Sequence, residues 1–181
     1  MSRRPALAQS LLALGLLLWT ADALAETTWT AFTPSDGSFR IDMPGPPEIT
    51  TRVSGLAISR FVSTVHKAHR GHDAFGVNHT DIPKPILFMV PDKTILEAAR
   101  KGFLESSEAT QISFELSELD GRPAWALAYA IPARAERPEQ TGAARLLFVD
   151  NRLFIFYSEI GRESAEKKDD RYFESIRIPA P

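Results

Sequence analysis

The chain has 181 residues, with 21 Lys and Arg against 23 Asp and Glu, a formal net charge of −2 and no cysteine. A basic face for nucleic acid is not indicated, and disulfides and thiol chemistry are excluded. The length suits one domain after removal of a leader, and stability must come from the core alone.

Arg3 and Arg4 open the chain. An apolar run, "ALAQSLLALGLLLW", follows, and Ala23-Leu24-Ala25 supplies small residues at the −3 and −1 positions of a cleavage site. This is the pattern of a secretory signal peptide over residues 1–25, leaving a single domain over 26–181 with Glu26 as its first residue. A membrane anchor is the competing reading, because residues 5–21 approach spanning length. The A-x-A junction and the polar "ETT" after it favour cleavage, so no stable membrane anchor is expected afterwards. "SRRP" lacks the continuation of a twin-arginine signal. The expected location is periplasmic or secreted.

"TWTAFT" (28–33) and "SFRIDM" (38–43) read as short strands joined by a turn at Asp36-Gly37. Phe39, Ile41 and Met43 alternate with polar residues, as in a strand buried on one side. "PGPPE" (44–48) stops that strand, and "ITTRVS" (49–54) starts another. Residues 57–67 and 74–80 form a strand pair. "PILFMV" (85–90), set between prolines, is too broken for a regular element. It reads as core, with an exposed lip for a partner as the alternative. Thr94 and Glu97 have the spacing of a capping box, predicting a helix from there to about Ser106. Leu96, Ala99 and Phe103 form its apolar stripe.

"QISFELSEL" (111–119) and "AWALAYAI" (124–131) are strands around a turn at Asp120-Gly121. "ARLLFVD" and "RLFIFYSE" flank Asp150-Asn151, a two-residue hairpin turn. Both runs are apolar on both faces, which predicts central strands. Residues 163–175 read as a charged surface helix, with "EKKDDR" (166–171) as its solvated face. The sum is an α+β fold: a mostly antiparallel sheet with helices packed on its faces.

The opening "WTAFTPSDGSFRIDMPGPPE" resembles the entry into small secreted bacterial domains of the Mog1/PsbP-like fold family. "DGRPAW" (120–125), "RLLFVDNRLFIFYSE" (145–159) and "YFESIRI" (172–178) fit in the same order. The resemblance implies an antiparallel sheet flanked by helices, an α/β/α sandwich. The family includes a photosystem II accessory protein, a nuclear transport factor that binds a small GTPase, and periplasmic proteins of undefined role. It therefore implies a binding or assembly module rather than an enzyme, and no site residue transfers by motif. The expected partner is another envelope protein.

All four histidines, His66, His69, His72 and His79, fall within one stretch of fourteen residues. A hairpin turning at Arg70-Gly71 would set His69 opposite His72 and His66 opposite Phe75. Alternation puts Val62, His66, Phe75, Val77 and His79 on one face, and Phe61, Val65, His69, His72 and Ala74 on the other. His79 would lie opposite Val62, about 13 Å from His66 along the strand. Only His69 and His72 would then converge, with Asp73 nearby. Two imidazoles are short of the three or four ligands of a zinc site, so weak Zn²⁺ or Cu²⁺ binding is the most that pair would support. No other cofactor is indicated. A periplasmic metal-binding protein using the 66–79 cluster is the alternative function. H-E-x-x-H, G-x-S-x-G, Walker and G-x-G-x-x-G patterns are absent from the sequence.

Overall fold

The computed structural model describes residues 28–55, 60–135, 137–161 and 171–179. The leader, the junction before Glu26 and most of the charged segment over 163–175 lie outside the described residues.

Strands β1 (Thr30–Phe32) and β2 (Ile41–Met43) form a small antiparallel hairpin, with Thr30 opposite Met43 and Phe32 opposite Ile41. Seven strands make the main sheet: β3 (Glu48–Ser54), β4 (Phe61–Arg70), β5 (Asp73–Asp81), β6 (Thr110–Leu119), β7 (Arg122–Ile131), β8 (Gln140–Val149) and β9 (Arg152–Gly161). Their order is β3-β4-β5-β9-β8-β7-β6, and every pairing is antiparallel. The two runs apolar on both faces, β8 and β9, occupy the interior of the sheet as expected. Asp150 takes a positive φ of 55° in the turn between them, and Val149 pairs with Arg152. β3 is an edge strand exposed along its whole length.

Alternation gives the sheet two apolar faces. On the first, Phe75, Val77, Phe154 and Phe156 meet Phe39, Ile41 and Met43 of the β1–β2 hairpin. The short helix α3 (Arg171–Glu174) adds Tyr172, which is fully buried and donates its hydroxyl to the Gly76 carbonyl at 2.6 Å. The sequence reading of a charged surface helix has Tyr172 and Phe173 among its apolar members; in the described part Tyr172 lies in the core and Phe173 packs against it. The second face carries Leu127, Tyr129, Ile155 and Tyr157.

Helix α2 runs Asp92–Ser107, two residues earlier than the Thr94 capping box predicts. Pro91 is the N-cap residue and no side chain caps the end. The fixed φ of proline pre-sets the chain for helix entry, and Asp92 places a negative charge in the first turn, where the helix dipole favours it. Leu96 and Phe103 pack on the second face, with Phe103 edge-on to Tyr129 at 5.4 Å. Residues 85–90, expected to be irregular, form most of a short helix, α1 (Lys84–Met89). Ile86 and Leu87 rest against the core, whereas Phe88 and Met89 are 90% and 74% exposed.

The β4–β5 hairpin corrects the expected register. Gly71 and His72 form the turn, and Arg70 lies opposite Asp73, His69 opposite Ala74 and His66 opposite Val77. Gly71 takes a φ of 60° at the first central position, where a tight hairpin turn needs positive φ. Asp73 secures the position: it pairs with Arg70 at 3.3 Å and accepts a hydrogen bond from the Gly161 amide at 2.9 Å. The displacement from the expected pairing is two residues, so each side chain keeps its predicted face while its neighbours change.

Candidate functional site: a buried histidine pair

The two-residue displacement decides which histidines meet. His79 lies opposite Thr64 and His66 opposite Val77, so the two are diagonal neighbours on the first face. Their rings are nearly parallel, with centroids 5.4 Å apart and Nε2 atoms 3.3 Å apart. This overturns the expectation that they stand too far apart to interact. His72 sits in the turn, and His69 pairs across to Ala74 rather than to His72. The direct cross-strand pairing expected for His69 and His72 is not formed, and no cluster of three or more metal-ligating side chains occurs among the described residues.

His66 and His79 are buried, 3% and 7% exposed. The β1–β2 hairpin covers them. Phe32 lies 5.2 Å from the His66 ring and Phe39 5.5 Å from it, while Phe154 of β9 lies 5.9 Å from His79. The turn between the hairpin strands brings Asp36 to Arg152 of β9. Arg152 donates from Nη1 to Asp36 and from Nε to Asp81 of β5, both at 2.5 Å. One guanidinium thus ties the hairpin tip to two sheet strands.

The electrostatics follow from burial. Loss of hydration disfavours the imidazolium form of His66, against a weaker pull from Asp36. Burial, together with the positive charge of Arg152, brings His79 down to about 4. Burial also opposes ionisation of Asp36, but hydrogen bonds from Ser38 and Arg152 outweigh it and hold the carboxyl at about 2. The pair is neutral near pH 7. A hydrogen bond between the two Nε2 atoms requires one to be protonated and the other bare. Neither Nδ1 has a hydrogen-bond partner among the described residues.

The clustering of histidines was visible in the sequence. Asp36, Asp81 and Arg152 were not, because their contacts span 71 and 116 residues of chain. A second polar feature was also missed: Glu159 is buried on the other face, 3.6 Å from Lys67 and beside the Tyr129 ring.

Comparison with known proteins bears on the fold. No family model matches the chain, and no curated protein matches it. The chain is similar in structure to the cyanobacterial PsbP protein CyanoP of Synechocystis. The TM-score is 0.57 at 12% identity, over 90% of this chain and 99% of that one. A protein of unknown function from Pseudomonas aeruginosa, described as a putative regulator, aligns at a TM-score of 0.37 and 10% identity over 84% and 98%. The first likeness identifies a PsbP-like α+β fold built mostly of antiparallel sheet.

Proposed function

We propose that this chain is an exported, non-catalytic binding or assembly module of the bacterial envelope, with another envelope protein as its partner. The observation that carries the reading is α1. Its Phe88 and Met89 are exposed, and Phe88 lines a cavity of about 450 Å³ together with Lys84, Leu87, Asp150 and Asn151. Adjacent large apolar side chains left exposed beside a concave surface favour a binding role. Export rests on the 1–25 pattern. Among the described residues no helix is long and apolar enough to cross a membrane. The α/β/α sandwich belongs to the same reading, supported by α2 on the second face and Tyr172 of α3 on the first. A photo-crosslinking residue at position 88, in the full chain expressed in cells, tests it. A discrete crosslinked envelope protein is expected, lost when Lys84 and Met89 are also changed to Ser. Crosslinking to nothing above background would overturn it.

One observation favours metal handling as a second reading: the 3.3 Å approach of the His66 and His79 Nε2 atoms. The pair offers two of the three or four ligands that zinc requires, and Asp36 and Asp81 already serve Arg152. Calorimetry with Zn²⁺ and Cu²⁺ at pH 7.5 tests it. A one-to-one site abolished by His66→Ala or His79→Ala would support it, and heat no different from the double variant would dismiss it.

A further inference from the structure

We propose that the β3 edge of the sheet is a contact between two copies of this chain, which pair antiparallel through β3 about a twofold axis at Thr50 and join their sheets into one.

The sheet has two free edges, β3 and β6, and they differ. β6 is guarded. Its register breaks between Gln111 and Ser113, and Glu115 and Glu118 stand exposed along it. Irregular pairing and charges of one sign discourage a strand from joining another edge. β3 has neither device. Its register against β4 runs unbroken from Glu48 to Ser54, and every residue is exposed. Ile49, Thr50, Thr51 and Val53 are β-branched, the residue type that favours strands. Among the described residues only β4 pairs with it, so the amides and carbonyls of alternate residues point outward.

The residues of β3 select a second copy as the occupant. An axis normal to the sheet keeps each face on its own side, so even residues meet even and odd meet odd. Centred on Thr50, the pairing sets Glu48 opposite Arg52 of the second copy, and Arg52 opposite its Glu48. No like charges then stand opposite or diagonal to one another. Both ion pairs lie on the second face, as Glu48 is aligned with Lys67. On the first face Ile49 falls opposite Thr51 of the second copy and diagonal to its Ile49 and Val53. The exposed aliphatic side chains of both copies therefore gather at the axis. Ile49 is aligned with the buried His66, so the contact carries the first apolar face onward. Centring on Thr51 instead would set Arg52 diagonal to its own copy. Pro46 and Pro47, which have no amide hydrogen, end the ladder beyond Glu48.

This pairing is isologous and closes at two copies, whereas β3 against β6 would run on as a filament. One strand edge is narrow beside a standard interface, so the dimer forms in a concentration-dependent way. The inference does not depend on the proposed envelope role.

Sedimentation of the chain purified from cells, over a dilution series, reads the association. A monomer–dimer equilibrium is expected, and a chain still monomeric at NMR concentrations would overturn the proposal. Arg52→Glu should weaken the dimer about tenfold, because the axis applies the change twice and turns two attractions into repulsions. Adding Glu48→Arg to that variant should restore it. A double variant no tighter than the single one would overturn the axis at Thr50. Leu116→Lys on β6 should leave association unchanged; a monomer there would move the contact to the other edge and overturn the proposal. The chain has no cysteine, so Thr50→Cys carries one thiol per copy whether or not the charge variants fold. A short thiol crosslinker should capture the dimer through position 50 and not through Leu116→Cys. A dimer that crosslinks no better at 50 than at 116 would overturn the proposal.

Discussion

The ring of Tyr157 occupies the space above Gly76, its neighbour across β5 and β9. A Cβ added to Gly76 would stand 2.4 Å from the Tyr157 Cζ. The same relation recurs between Tyr129 and Gly142 across β7 and β8, at 2.1 Å. Both rings then contact Phe103, so two glycines in the sheet make room for the aromatic seat of α2. Gly76→Ala and Gly142→Ala should each destabilise the fold by about 1–3 kcal/mol or more, because buried overpacking forces rings or backbone to move. Gly102→Ala, with open space around it in α2, should stabilise by about 0.5–1 kcal/mol. Urea melts of the three variants separate these outcomes.

Stability should fall on the acid side. The folded-state value of His79 is depressed, so the unfolded chain binds the proton first. Stability is therefore full above pH 6.5 and is lost as pH falls from there through about 4. His79 alone accounts for about 3 kcal/mol at the acid limit, at 1.36 kcal/mol per unit. Denaturant midpoints between pH 7.5 and 4 check this; a His79→Phe variant with an unchanged acid slope would contradict it.

Arg152→Met should raise two titrations together. Asp36 loses a hydrogen bond and a cation, and should move up from about 2 toward the ordinary carboxylate range. His79 loses a repelling charge and gains the unneutralised Asp36 and Asp81, so it should rise from about 4. NMR titration of the carboxyl and imidazole resonances measures both, and a fixed His79 would show that burial alone sets its value.

Thr94 lies inside the first turn of α2, where its side chain caps nothing. Thr94→Ala should change stability by less than about 0.5 kcal/mol, whereas a true N-cap would cost about 1 kcal/mol. Asp92→Ala should cost about 0.3–1 kcal/mol through the helix dipole. Thermal melts with the two effects reversed would restore the capping box.

Two or three glycines inserted between Asp150 and Asn151 should leave the sheet intact, since loop closure costs only about 0.6 kcal/mol per doubling of length. Phe154→Ala or Phe156→Ala should cost about 3–5 kcal/mol, both rings being buried on the first face. An insertion as damaging as the worse substitution would show that the turn at Asp150 carries stability of its own.

Several features were legible along the chain because their causes are local. Alternation assigned Phe39, Ile41 and Met43 to the core, and placed His66 and His79 together on one face and His69 on the other. Asp150-Asn151 announced its hairpin, and the two-sided apolar runs beside it announced the sheet centre. Parity alone settles the face of a strand residue, and parity survives a two-residue slip. What the slip alters is who stands beside whom. With the turn at Gly71-His72, Asp73 is held by Arg70 and by the Gly161 amide 88 residues away, a contact that no local pattern announces. The same dependence on distant chain placed Asp36 and Arg152 at the histidines and drew Tyr172 into the core. Face follows from the pleat of a single strand, whereas contact follows from free energies summed across strands that the chain brings together only on folding.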